Sequence, residues 1–494
     1  MTRVSMEMTK MTMWSAGLAF GITAASGLSQ TPAAHSAAVL QPWKRIAIPS
    51  LHAFKPAQPR RIELANGLII FLQEDHELPF INGRIVIRGG SRDEPAAKVG
   101  LVSLYGSTWR TSGTSAASGD ALDEQLDAKA AHVETGGGQA TTSVSWSSLK
   151  GDFDPVFGIT TQLLLHPDFK QDKLQLAKRR LEARIARRND DGSGIAGREA
   201  IKLVYGVNNP YGRETEFATV EAVTLDDLMA WHERTLTPNN MIVAVSGDFD
   251  SSAMEAKLRT AFEPLHKGAL FETAKLTYPG PVNSVYLADK TDVDQSNVYI
   301  VGLGTTEDNP DYYALSVMNE VFSGGFGSRV VQDVRTRLGL AYDISGSFGA
   351  SYDHPGMFYV AAGTKSESTV EATQAMLVEI GKLKTVPPSP DELRKAKEQV
   401  LNSFIFNYDS PDKVLSEQVT LAFFGYPTDF LEQYRVGIDK VTSADVARVA
   451  NKYIDESKLA TVVVGNAAQF KPPLQTLGKV TTLDIAIPPM QKRK

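Results

Sequence analysis

Val223-Thr224-Leu225-Asp226-Asp227-Leu228 opens one predicted helix, and Val441-Thr442-Ser443-Ala444-Asp445-Val446 opens a second far downstream. A strand-like run follows each: Asn240 to Asp248 (NMIVAVSGD) and Lys458 to Asn466 (KLATVVVGN). Thr224 and Thr442 have the type and place of N-caps, because a hydroxyl there accepts from the free N–H groups of the first turn. Working outward, Asn82 to Gly90 (NGRIVIRGG) is echoed 214 residues later by Ser296 to Gly304 (SNVYIVGLG). Ala177-Lys178-Arg179 and Ala396-Lys397-Glu398 lie 219 residues apart, and Asp190 and Asp409 beyond them keep that spacing. Two units this long are duplicated domains, since a solenoid repeats at about 20–50 residues.

Hairpins and mixed strand and helix blocks, without strict βαβ alternation, predict two homologous α+β domains, each a β-sheet packed with helices. Ile62-Glu63-Leu64 and Leu68-Ile69-Ile70-Phe71 read as a hairpin around Asn66-Gly67, a pair that supplies positive φ angles in a tight turn. Ser389-Pro390-Asp391-Glu392 carries a capping box with Pro at the first helical position, opening a helix to about Phe406. The expected organisation is a leader over residues 1–37, an N-terminal domain over 50–265 and a C-terminal domain over 283–480. The connector, Leu265 to Val282, holds Gly268, Pro279, Gly280 and Pro281.

With 494 residues, 42% hydrophobic and 22% charged, the chain has an ordinary globular composition. A net charge of −6 without a dense basic patch argues against nucleic acid as a partner. The absence of Cys excludes disulfides, thiolate zinc ligands and thiol catalysis. At the N-terminus, Arg3 and Lys10 precede an apolar run from Met11 to Leu28 and small residues at Ala33-Ala34-His35-Ser36-Ala37-Ala38. That is the three-part pattern of a cleaved export signal, and its glycines make the run weak as a bilayer span. The expectation is an exported, periplasmic protein with no membrane attachment once the signal is removed.

Several stretches resemble the pitrilysin/insulinase family of metallopeptidases, the inverzincins. They are Ile85-Val86-Ile87-Arg88-Gly89-Gly90-Ser91 with Gly100-Leu101, then Asn209-Pro210-Tyr211-Gly212, Pro238-Asn239-Asn240-Met241, and Arg335-Thr336-Arg337-Leu338-Gly339-Leu340-Ala341-Tyr342. The resemblance covers roughly residues 55 to 475. Its active members carry H-x-x-E-H, two His one helical turn apart on zinc and a Glu that activates the bound water. At the matching positions stand Ser103, Gly106 and Ser107. A neutral hydroxyl is a poor zinc ligand and glycine offers no base. The third ligand of the family falls at Ala183 or Arg184, beside Glu182. No two of the eight His residues stand three or four apart, so none rebuilds a site. Ser103 and Ser107 lack the G-x-S-x-G setting of a nucleophile and read as small polar residues filling an abandoned cavity.

The resemblance also implies that Arg335 and Tyr342 bind substrate, donating hydrogen bonds to a peptide carbonyl held at zinc. Ser323-Gly324-Gly325-Phe326-Gly327-Ser328 lacks the Gly-Lys-Ser/Thr of a P-loop and matches the family's glycine loop before that helix. Gly136-Gly137-Gly138 reads as a flexible loop tip, and Asp120 to Asp127 as a solvated helix face. The implied function is a non-catalytic, substrate-binding subunit of a heteromeric zinc peptidase. It would be inactive alone, with no cofactor of its own. A homologous H-x-x-E-H subunit would supply the zinc and close with it, clamshell fashion, around an unfolded peptide. The alternative is a stand-alone interaction or structural protein of the same fold, like the core subunits of the mitochondrial respiratory complex.

Overall fold

The computed structural model describes residues 57–490; the expected leader lies outside the described residues. The first half runs β1 (Arg60–Glu63), β2 (Ile69–Glu74), β3 (Phe80–Arg88), α1 (Leu101–Ser112), α2 (Gly119–Asp127), β4 (His132–Gly137) and β5 (Thr141–Leu149). It continues through α3 (Phe153–Leu165), α4 (Gln171–Ala186), α5 (Gly192–Tyr205), α6 (Phe217–Glu221), α7 (Leu225–Thr235), β6 (Met241–Gly247) and α8 (Ser251–Phe262). The second half runs β7 (Ser284–Asp289), β8 (Gln295–Leu303), β9 (Thr305–Thr306), α9 (Tyr312–Ser323), β10 (Asp343–Phe348), β11 (Ala350–Ser351) and β12 (Met357–Lys365). Then come α10 (Thr369–Thr385), α11 (Pro390–Ile405), α12 (Pro411–Phe424), α13 (Phe430–Lys440), α14 (Ser443–Tyr453), β13 (Ala460–Gly465) and β14 (Val480–Thr482).

Each half builds a six-stranded mixed sheet, ordered β1-β2-β6-β3-β5-β4 in the first and β10-β12-β8-β13-β7-β14 in the second. Read from opposite ends, the two orders match strand for strand in the four strands that carry the repeat: β3 and β8, β6 and β13, β5 and β12, β4 and β10. The outermost strand differs. β1 pairs antiparallel with β2 as a hairpin, whereas β14 returns from the C-terminus to lie parallel to β7. In the hairpin turn only Gly67 takes positive φ, at +86°. Asn66 instead spends its amide on the carbonyls of Phe262 and Leu265, at 2.8 and 3.1 Å. The predicted caps form as expected: Thr224 and Thr442 accept from the N–H groups of Asp227 and Asp445, and Ser389 with Glu392 closes the capping box of α11.

The central strands β6 and β13 are buried on both faces. Their unbroken apolar runs require that, because alternation marks a strand with one wet face. One face meets the half's own helices, and the other is covered by a helix from the opposite half. Leu415, Val419 and Phe423, spaced by four along α12, pack on Phe71, Val86, Ile242 and Ala244 of the first sheet. Ala200, Val204 and Tyr205 of α5 pack on Val301, Ala460 and Val462 of the second, and Ile195 and Ala196 on Ala288 and Val464. The two helices begin 219 residues apart, at Gly192 and Pro411, just past the repeated aspartates. Asp191 and Ser410 cap them. Polar contacts reinforce the exchange: Ser246 donates to Asp412, Arg92 pairs with Asp353, and His354 stacks on Tyr211 at 3.7 Å. The connector between α8 and β7 holds no regular element. Phe271 anchors it against Trp231, and Tyr278 against Tyr205.

Candidate functional site

The first half's candidate positions lie on α1. Gly100 enters it at φ +106°, and the buried Glu94 carboxylate accepts from the N–H groups of Gly100 and Val102, at 2.9 and 3.0 Å. A carboxylate placed there satisfies donors that the first turn otherwise leaves free. One turn on, Ser107 donates to the Ser103 carbonyl at 2.8 Å, so its hydroxyl is spent on its own helix. Gly106 is buried against β4. A Cβ there would lie 2.5 Å from the Gly137 nitrogen and 2.7 Å from the Gly136 carbonyl carbon. A Cβ on Gly137 would in turn meet the Val102 carbonyl oxygen at 2.4 Å. Thr135 locks the contact, donating to the Gly106 carbonyl at 2.7 Å and accepting from the Arg110 N–H at 3.0 Å.

This corrects one expectation from the sequence. Gly136 and Gly137 are not a loop tip: they are the stretch of β4 that lets its backbone touch α1. That backbone fills the space beside Gly106, while Ser103 is half-buried and Ser107 exposed. A zinc ion does not fit here. Hydroxyls replace the imidazoles, and a Glu side chain at position 106 has no room. Glu182 is half-buried on α4, while Ala183 and Arg184 are exposed. Among the described residues, no group of three or more His, Cys, Asp or Glu side chains is placed to hold a metal. The buried His232 bonds the Tyr105 hydroxyl through Nδ1 at 2.8 Å, packed among Trp109 and Phe169. Burial holds its pKa down to about 4, so it is a neutral packing histidine. Installing His, Glu and His at 103, 106 and 107 is therefore expected to yield a destabilised chain without bound zinc. Gly106→Ala alone should cost about 1–3 kcal/mol through overpacking. Thermal melts and metal analysis check both, and a restored variant that melts normally with one zinc per chain would refute the expectation.

The second half's candidates stand on the segment before β10. Val331–Arg337 coils as a π-helical turn, a form found often at functional sites. Gly339, at φ +65°, then reverses the chain. Leu340 and Ala341 plug into the second core, and the Leu340 carbonyl accepts from Thr364 at 2.6 Å. Tyr342 N–H bonds the Gly363 carbonyl at 2.9 Å, leading into β10. These anchors fix the backbone and leave both functional side chains outward. Arg337 is committed to Asp333 at 2.9 Å, and Lys382 reaches the same carboxylate at 3.1 Å. Arg335 is exposed, with its guanidinium 5.6 Å from the Phe326 ring. Tyr342 is 52% exposed. Among the described residues neither the Arg335 guanidinium nor the Tyr342 hydroxyl has a hydrogen-bond partner. Tyr342 borders a cavity of about 490 Å³ with Asp294, Gln295, Lys365 and Glu367; Arg335 does not line it. The first group lies on α1 beside edge strand β4, and the second on the segment that leads into edge strand β10.

Residues 222–400 match the Peptidase M16 inactive domain model. An "uncharacterized zinc protease" of Rickettsia felis is 21% identical over 417 residues, spanning 82% of this chain and 97% of the relative. The "non-peptidase homolog YmxG" of Helicobacter pylori is 22% identical over 408 residues, spanning 81% and 93%. The crystal structure of a peptidase M16 inactive domain from Pseudomonas fluorescens shares the fold, with a TM-score of 0.75 at 23% identity over 84% of this chain and all of that one. These matches agree with the resemblance to the pitrilysin/insulinase peptidases, and within them to inactive-type domains and a non-peptidase homologue. Serine and glycine stand at the positions of the zinc motif.

Proposed function

We propose that the chain is the substrate-binding, non-catalytic subunit of a heteromeric zinc peptidase. Its partner is a homologous subunit that carries H-x-x-E-H, holds the zinc and cleaves an unfolded peptide enclosed between the two. The observation that carries this reading is the Arg335/Tyr342 pair. Among the described residues, two side chains able to donate to a carbonyl stand without hydrogen-bond partners on a firmly anchored segment, while α1 offers no chemistry of its own. Burial of Leu340 and Ala341 holds them in place, which lowers the entropy a bound peptide must give up. The same reading places the protein in the periplasm after its leader is removed. No helix among the described residues is long and apolar enough to cross a membrane.

The test is to co-express the chain with a homologous H-x-x-E-H protein from its own genome and assay peptide cleavage by each alone and by both. Cleavage should require both chains. Arg335→Ala should raise KM about tenfold, the loss of roughly one charge-assisted hydrogen bond. A stable chain that never joins such a partner, and whose Arg335→Ala variant behaves as wild type, would favour the stand-alone interaction protein instead.

A further inference from the structure

The second half contains a cavity of about 450 Å³ enclosed by α9, α11, α12 and α13 and closed at one end by the β9/β11 ladder. Its walls are aromatic. Tyr352 meets Tyr426 at 5.1 Å, Tyr426 meets Phe430 at 5.0 Å, and Phe430 meets Tyr312 at 6.4 Å. Tyr312 meets Tyr434 at 5.5 Å, Tyr434 meets Phe404 at 5.5 Å, and Phe404 meets Tyr408 at 5.0 Å. All but Tyr426, which backs the wall, line the cavity. Three carboxylates, Glu307, Glu320 and Glu417, line the space, and no lysine or arginine does. Among the described residues the Glu307 carboxylate has no hydrogen-bond partner. Glu417 accepts only a long bond from Tyr352, at 3.4 Å. The exposed Ser403 and Asn407 leave the cavity open to solvent on their side.

At the matching positions of α1 in the first half the space is packed solid. Counting from the start of each helix, Tyr312, Ser316, Asn319 and Glu320 of α9 stand where Leu101, Tyr105, Thr108 and Trp109 stand on α1. Those four are buried, with Tyr105 and Trp109 packed on His232. Removing carboxylates from water without a counter-charge is costly. The faces of aromatic rings are negative and attract cations, most strongly in a desolvated site. Both features call for the same ligand.

We propose that this cavity binds an organic alkylammonium cation, either the side chain of a peptide lysine or a free aliphatic amine. The ammonium would sit between Glu307 and Glu417 with its methylene chain along the rings. This goes beyond the peptidase reading and is tested on the chain alone, so its failure leaves that reading untouched. Burial and the neighbouring Glu417 raise Glu307 to about 7. Glu417 and Glu320 are themselves held up by burial. Tyr312, Tyr352, Tyr408 and Tyr434, which also face the space, are raised and remain neutral. The cation should bind the ionised carboxylate, so affinity should rise as pH increases through about 7.

The experiment titrates the purified full chain by calorimetry with butane-1,4-diamine, with N-acetyl-lysine methylamide, and with N-acetyl-norleucine methylamide as the neutral control. At least one amine should bind at matched ionic strength, the norleucine amide should not, and Glu307→Gln/Glu417→Gln should weaken binding tenfold or more. Binding of only the lysine amide would identify a peptide side chain as the ligand; binding of only the diamine would identify a free amine. The Gln variant keeps the shape and removes buried charge, so its melt should match or exceed wild type. No binding by either amine, equal binding of the norleucine amide, or unchanged affinity in the variant would overturn the proposal.

Discussion

Tyr342→Phe is expected to lower kcat of a heteromeric peptidase containing this chain by about 100- to 1000-fold, with a smaller change in KM. The ring, its half-exposed placement and its backbone bond to Gly363 all survive the change; only the hydroxyl is lost. A donor aimed at a developing oxyanion is worth roughly 2.7–4 kcal/mol in the transition state and much less to the ground-state carbonyl. The substitution therefore separates transition-state stabilisation from simple binding. The isolated variant should melt within about 0.5 kcal/mol of wild type, because no described partner of the hydroxyl is lost. Steady-state kinetics of the assembled pair give the answer. An unchanged kcat would reduce Tyr342 to a packing residue at a strand entrance.

The second large effect concerns the exchanged helices. Phe423→Ala should destabilise the chain by about 3–5 kcal/mol, although Phe423 lies on the second half and its cavity would open in the first. The ring is 3% exposed, packs with Phe71, Val86, Ile242 and Ala244, and holds the Arg88 guanidinium over its face at 4.4 Å. Residues 57–265 expressed alone would lose α12 and expose that whole sheet face, so they should aggregate; residues 283–490 alone would lose α5 with the same outcome. Co-expression should recover both. Soluble, folded single halves would show that the exchange contributes little.

The duplication was legible because its signals are local. Thr224 and Thr442 mark caps, and the apolar runs at 241–247 and 460–465 mark strands buried on both faces. What covers those faces was not legible, since nothing in the sequence of α5 or α12 states which sheet it will reach. Only the paired aspartates 190 and 409, at equal spacing from the repeated helices, hinted that the two segments correspond. The loss of the zinc motif was readable from Ser103, Gly106 and Ser107. The backbone contact that leaves no room for a side chain at Gly106 was not, because Gly136 and Gly137 look like a loop until β4 is seen against α1. The aromatic cavity escaped notice for another reason: its walls come from positions between 307 and 434 that share no motif and meet only through four helices.

The reciprocal exchange of α5 and α12 has the form of a dimer whose subunits have traded one helix each and were later joined end to end. In such an arrangement the connector acts mainly as a tether, keeping the two halves at high effective concentration for one another. Packing rather than the peptide bond then holds the halves together. A protease that cut between residues 265 and 282 would give two fragments that remain one particle, and residues inserted there would lengthen the tether at a small entropic cost, about 0.6 kcal/mol per doubling of loop length.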